Sequence, residues 1–277
     1  MEREFVEVDV FTDVPYRGNP LAVVLDGDGL TTDTMQRFAN WTNFSETAFL
    51  FTPTDPVADY LVRIFTTSTE LEFAGHPTLG SCHAWLEHGG VPKDRGCVVQ
   101  QCGVGLIDIR RNDTGRLAFA APPTVRSGPL DDATTRRVAA ALDVSLDAIV
   151  DAAWVDNGPG WMGVLLGSAE EVLALGVPDT DLKIGVIGAL PPGSDHAYEV
   201  RAFFPSGGRT LEDPVTGSLN ASVAQWLIST GRFRLPFTAS QGTALGRRGI
   251  IHIAVDDDGQ VWVGGDVVTC VRGTVGI

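Results

Sequence analysis

Apolar residues in this chain fall mainly into short runs broken by glycine and proline, which is how strands and their turns are written. Residues 5–11 and 21–25 form two such runs, and the turn-rich stretch 13–20 between them predicts a hairpin-like pair with a broad loop. The period then changes. From Thr32 onward, Met35, Phe38, Ala39 and Thr42 recur at helical spacing, predicting a helix with Thr32 as N-cap and its end near Asn43. Strand character returns over residues 44–51 and, after a turn at 53–56, over 59–65. Further strands are predicted at 98–101, 105–110, 117–121, 161–166, 250–255 and 260–264, and an alanine-rich helix at 131–142.

Two longer segments, 78–88 and 215–229, contain no proline and carry apolar faces formed by Leu79, Cys82 and Leu86 and by Leu219, Val223, Trp226 and Leu227. Each is predicted to be a helix opened by a proline, Pro77 or Pro214, in the first turn, where a missing N–H costs nothing. Gly89-Gly90 and Gly231 supply the C-terminal stops. A common phrase leads into both. Arg63-Ile64-Phe65 precedes Gly75-His76-Pro77-Thr78-Leu79-Gly80-Ser81, and Arg201-Ala202-Phe203 precedes Glu212-Asp213-Pro214-Val215-Thr216-Gly217-Ser218. At an offset of 137 positions Pro77, Gly80 and Ser81 match Pro214, Gly217 and Ser218, while Asp213 stands opposite His76. The repeat spacing, about half of the 277 residues, predicts two similar lobes, 1–122 and 123–277, parting at the proline-rich stretch 122–131.

Composition narrows the function classes. A formal charge of -15 disfavours phosphate backbones and anionic lipid as partners, so neither nucleic acid nor a membrane is expected. No run of residues is long and apolar enough to span a bilayer, and the N-terminus lacks a secretory pattern, so the expected location is the cytoplasm. The four cysteines, Cys82, Cys97, Cys102 and Cys270, form no Cys-x-x-Cys pair and read as reduced thiols. Cys97 and Cys102 are five apart, hence on opposite faces of an extended strand, and no metal site is expected. No Gly-x-Gly-x-x-Gly phrase opens a helix, so no nicotinamide or flavin is implied.

The chemistry is expected where the repeats differ. Two helix N-termini in facing lobes would direct positive dipole ends at one cleft, which suits a small carboxylate, and glycines such as Gly75, Gly80 and Gly217 would let it approach the backbone. The alternative is that these glycines only permit close helix packing. His76 and Asp213 at the helix entrances would hydrogen-bond a substrate or hold a proton near neutral pH; alternatively Asp213 is an N-cap and His76 a loop residue. Glu46, flanked by apolar residues, is a candidate acid/base whose pKa burial would raise, or else a strand residue facing water.

Taken in order, Val8-Asp9-Val10-Phe11-Thr12, Gly18-Asn19-Pro20, Ser45-Glu46-Thr47, Arg63-Ile64-Phe65-Thr66, the Gly75–Gly80 phrase, the Glu212–Ser218 phrase, Gln241-Gly242 and Val261-Trp262-Val263-Gly264-Gly265 resemble the phenazine biosynthesis PhzF-like proteins over nearly the whole chain. The resemblance implies a diaminopimelate-epimerase-like α/β (α+β) fold of two pseudo-symmetric domains, each a mostly antiparallel sheet curled around a central helix, commonly as a homodimer. It also implies a cofactor-free isomerase that moves a proton between carbons of a small unsaturated or cyclic amino-acid-derived carboxylate in secondary metabolism. Under it Glu46 is the acid/base, with His76 and Asp213 as its catalytic partners. Asn19, Ser45, Gly75, Gly217 and Ser218 contact the substrate, the two glycines through backbone donors. Family members often continue the second phrase as Gly-Ser-Ala-His, whereas this chain has Gly217-Ser218-Leu219-Asn220, so the phenazine-pathway substrate is not carried over.

Two other functions fit the same residues. An epimerase or racemase using paired thiols would need a cysteine on each side of the cleft, and neither phrase contains one, although a glutamate-only epimerase fits. A carboxylate-binding protein without activity is the remaining reading.

Overall fold

The computed structural model describes residues 1–233 and 235–277. In chain order its elements are β1 (Glu2–Val10), β2 (Asn19–Val24), α1 (Thr32–Thr42), β3 (Thr47–Phe51), β4 (Tyr60–Phe65), β5 (Glu70–Leu71), α2 (Gly75–Glu87), β6 (Cys97–Cys102), β7 (Gly105–Arg111) and β8 (Leu117–Ala120). They continue as β9 (Arg126–Pro129), α3 (Asp132–Leu142), β10 (Ile149–Asp156), β11 (Met162–Leu166), α4 (Ala169–Ala174), β12 (Ile184–Ala189), β13 (Tyr198–Ser206), β14 (Arg209–Asp213), α5 (Gly217–Ser229), β15 (Phe237–Gln241), β16 (Gly249–Val255), β17 (Val261–Gly265) and β18 (Val267–Gly276). Two compact units result: Met1–Ala120 together with Gly264–Ile277, and Ala121–Val263. No helix among the described residues is long and apolar enough to cross a membrane.

In the first unit β1 pairs antiparallel with β18 and β2, β2 runs parallel to β3, β3 antiparallel to β4, β4 parallel to β6, and β6 antiparallel to β7, with β5 folded back on β4. Helix α1 covers one face, where Met35 and Ala39 pack with Phe5, Ala22, Val24, Phe49 and Phe65. Against the opposite face lies α2. A Cβ at Gly80 would come within 2.6 Å of Leu21 and 3.0 Å of Val8 and Val10, so this glycine serves close helix-to-sheet packing rather than a ligand.

The second unit repeats that series of pairings. β10 is antiparallel to β9 and β11, β11 parallel to β12, β12 antiparallel to β13, β13 parallel to β15, and β15 antiparallel to β16, with β14 folded back on β13. One face packs Val138 and Leu142 of α3 and Val172 of α4 against Met162, Val164, Ile184, Val186 and Phe203. The other receives α5, and here the sheet supplies the glycines: a Cβ at Gly185 would meet Leu219 at 2.4 Å, and one at Gly163 would meet Trp226 at 3.0 Å.

Two boundaries differ from the sequence reading in ways that matter. The first helix is capped by Thr31, one residue earlier than expected, and β3 starts only at Thr47, so Glu46 stands at the entry of the strand rather than within it. The helices α2 and α5 also start out of step with the repeat. In α2 the first helical bond runs from Thr78 N to the Ala74 carbonyl, which makes Pro77 its third residue. In α5 it runs from Asn220 N to Thr216, which leaves Pro214 outside. The Thr216 N–H donates to Gln241 Oε1 and its hydroxyl to Asp213 Oδ2, bonds that hold the chain in a turn until Thr216. Aligned by helix start, Gly75-His76 corresponds to Gly217-Ser218.

Candidate functional site

In the first unit, three segments meet around one imidazole. A carboxylate at Asp9 on β1 accepts from the N–H groups of Arg17 (2.7 Å) and Gly18 (2.9 Å), fixing the loop that delivers Asn19 to the start of β2. Gly18 is obligatory there, since a Cβ would lie 2.1 Å from the Val10 carbonyl oxygen. Asn19 is fully buried, and its Nδ2 lies 3.4 Å from His76 Nδ1. His76, second residue of α2, is 5 % exposed. Its Nε2 points at Glu46, 3.6 Å from Oε2, a separation just beyond hydrogen-bond length that leaves Nε2 buried without a hydrogen-bond partner among the described residues.

Burial holds the His76 pKa down to about 3, against an opposing contribution from a hydrogen bond with the Pro20 backbone. The ring is therefore neutral at physiological pH, and its contact with Glu46 is a carboxyl group beside an uncharged imidazole rather than an ion pair. The Glu46 side chain is 19 % exposed, buried enough for its environment to matter and open enough to be reached. Ser45 is exposed in the bend before it, and Gly75 is the buried first residue of α2. No side chain at the N-cap of α2 bonds to its first-turn N–H groups.

Beneath this helix start, Thr78 accepts from Gln100 Nε2 at 3.0 Å, and Gln100 Oε1 accepts from Tyr60 at 2.9 Å. In the second unit, Gln241 takes the part that Gln100 takes here. Its Oε1 accepts from Thr216 N and from Asn220 Nδ2 (2.7 Å), and its Nε2 donates to the Asp213 carbonyl and to Thr216 Oγ1. Asp213 itself ends β14 and accepts from the Thr216 hydroxyl at 2.5 Å. Gly217 is the buried first residue of α5, whose N-cap, Thr216, also makes no capping bond. Ser218 Oγ accepts from Trp161 Nε1 (3.1 Å), and the Ser218 carbonyl accepts from Asn157 Nδ2 (2.9 Å).

Both residues of the Leu219-Asn220 departure are fully buried, Leu219 in the hollow left by Gly185 and Asn220 bonded to Gln241 and Thr216. In the sequence, Gln241 is marked only by the glycine that follows it. Gly242 adopts φ 91 and a Cβ on it would meet the Pro214 carbonyl at 2.6 Å, so Gln-Gly is the pair that fits against Asp213-Pro214. Thr78 and Thr216 lie within the repeated phrases and Asn220 in the Leu219-Asn220 departure, whereas Gln100 carries no mark in the sequence. Among the described residues no cluster of three His, Cys, Asp or Glu side chains is arranged to hold a metal ion.

The family model for phenazine biosynthesis-like proteins matches residues 8–273. The chain belongs to this family. Within the PhzF-like relatives, it is 35 % identical to antisense-enhancing sequence 1 of Schizosaccharomyces pombe and 32 % identical to the trans-2,3-dihydro-3-hydroxyanthranilate isomerase of Pseudomonas fluorescens, in each case over 98 % of both chains. The crystal structure of a PhzF-family phenazine biosynthesis protein from Bacillus anthracis superposes with a TM-score of 0.83 over 100 % of both chains at 22 % identity, which shows the shared fold. The PhzF-like motifs thus occupy the two helix starts and the strands that feed them.

Proposed function

We propose that this chain is an isomerase that moves a proton between carbons of a small unsaturated or cyclic amino-acid-derived carboxylate, with Glu46 as the general acid/base. The observation that carries the reading is the partly exposed Glu46 carboxyl facing, at 3.6 Å, the buried Nε2 of a neutral His76, which has no hydrogen-bond partner among the described residues. A carboxyl group so placed is suited to take a proton from one carbon and return it to another, while a neutral imidazole steadies it without fixing its charge. His76 and Asp213 are assigned to binding and polarising the substrate, Ser45 and Ser218 to contacting it, and the first-turn N–H groups at Gly75 and Gly217 to its carboxylate. Asn19, buried behind the imidazole, acts by holding His76. The name of the Pseudomonas fluorescens relative supplies the first substrate to try. A two-thiol epimerase is disfavoured, because burial raises the Cys82 and Cys102 pKa values and keeps both as unreactive thiols.

The test is incubation of trans-2,3-dihydro-3-hydroxyanthranilate and related cyclic unsaturated amino acids in deuterated water, read by NMR and mass. Label entering a carbon position is expected, with the rate falling about 10²–10⁴-fold in Glu46→Gln. A variant as fast as the parent protein removes Glu46 from the role.

A further inference from the structure

The side-chain amide of Gln241 has its orientation set by backbone, because Oε1 accepts from the Thr216 N–H at 3.0 Å and Nε2 donates to the Asp213 carbonyl at 3.0 Å. Reversing the amide would set donor against donor and acceptor against acceptor. With Nε2 so placed, it also donates to Thr216 Oγ1 at 3.0 Å, and the hydroxyl has its single proton left for Asp213 Oδ2, 2.5 Å away. Asn220 locks the arrangement from below: one nitrogen donates both to Gln241 Oε1 and to the Thr216 carbonyl. Gln241 and Asn220 are fully buried and Thr216 is 7 % exposed. Two glycines make room for the assembly. A Cβ at Gly242 would strike the Pro214 carbonyl, and one at Gly249 would come within 2.3 Å of Val215 and 3.0 Å of the Gln241 carbonyl.

We infer that Gln241, Thr216 and Asn220 are positioning residues for Asp213: a one-way chain of donors that presents its carboxylate as an ionised acceptor at a fixed place ahead of α5. The inference rests on the reading of Asp213 as a functional residue, and its consequence for the carboxylate is measurable without any substrate. Glu212, the neighbouring acid, is engaged separately by Arg201. A hydroxyl hydrogen bond to a charged carboxylate favours the charged form, so its removal makes the acid weaker.

The experiment follows the Asp213 side-chain carboxyl carbon by NMR in protein labelled with ¹³C-aspartate, assigned by loss of the signal in Asp213→Asn. Thr216→Val keeps the shape and deletes the hydroxyl, and should raise the Asp213 titration midpoint by about one pH unit; Thr216→Ser restores it. Should Thr216→Val fail to fold, Thr216→Ala serves instead. It too deletes the hydroxyl while adding no charge, and the midpoint again moves up. Val and Ser variants titrating alike, or a Thr216→Ala midpoint unchanged from the parent protein, overturns the inference. A shifted midpoint together with wild-type turnover by Glu46→Gln would leave the clamp standing and the isomerase reading fallen.

Discussion

His76 has an ordinary imidazole pKa near 6.5 in an unfolded chain and one of about 3 in the fold, because burial penalises its cation. Between those values the unfolded state binds the extra proton and the folded state does not. The stability from keeping His76 neutral is therefore present in full above about pH 6.5 and drains away as the pH falls toward 3. On the order of a few kcal/mol is at stake, at most about 1.4 kcal/mol for each pH unit crossed. Urea denaturation at a series of pH values should show the parent protein gaining stability from pH 4 to 6.5 more steeply than His76→Gln. Parallel curves for the two proteins would mean that the imidazole is not held neutral by its burial. The same residue illustrates what sequence could and could not say. Its presence in a Gly-His-Pro phrase singled it out, but its neutrality depends on burial beside Asn19 and the sheet packed around it, which are distant in the chain.

Between residue and domain, the repeated Arg-x-Phe phrase turns out to be scaffolding for the hairpins that feed the two helices. Arg63 on β4 grips Glu70 on β5 through two bonds of 2.7 and 2.6 Å, and Arg201 on β13 grips Glu212 on β14 through two of 3.0 and 2.6 Å. Each guanidinium also sits over the phenylalanine two residues on, at 5.3 Å for Phe65 and 4.9 Å for Phe203. Their settings differ. The side chains of Arg63 and Glu70 are 28 % and 37 % exposed, whereas those of Arg201 and Glu212 are 4 % and 2 % exposed. Arg201 also donates to the carbonyls of Val172 and Leu175 at the end of α4. Arg201→Met should cost about 3–5 kcal/mol, since it strands a buried carboxylate, and Arg63→Met no more than about 1 kcal/mol. Denaturant titrations of both variants check this, and equal costs would refute the distinction. The phrase was legible as a repeat because an arginine two positions before a phenylalanine recurs ahead of both helices; the glutamates that complete it were not, because Glu70 follows Arg63 by seven positions and Glu212 follows Arg201 by eleven. That unequal spacing is also why the 137-residue match slid the two helix starts out of step.

Across the whole chain, the longer helices were legible from their apolar faces, whereas α4, six residues long with only Ala169 and Val172 buried, is too short to show a period, and β12, almost wholly buried, is too uniform to show one. Least legible was the route of the C-terminus. The last fourteen residues belong with the first unit, where β18 pairs with β1 from Glu2↔Gly276 to Val10↔Val267. Without β18, β1 becomes an edge with one row of backbone groups unpaired, and the α2 side loses the Thr269 hydroxyl that bonds to His83 and Glu87. Strands are worth most where both neighbours are present, so the cost should concentrate in β1 and in α2, which packs on it. Deleting residues 267–277 is therefore expected to raise amide hydrogen exchange in β1, β2 and α2 by orders of magnitude, while β11 and β12, whose strand partners lie in the second unit, and α5, which packs on Gly163 and Gly185 there, keep their protection. Mass-spectrometric exchange on the full chain and the truncated one decides it. A uniform loss across both units would mean that they fold as one cooperative body, and no loss in β1 would mean that the final strand is peripheral to the first.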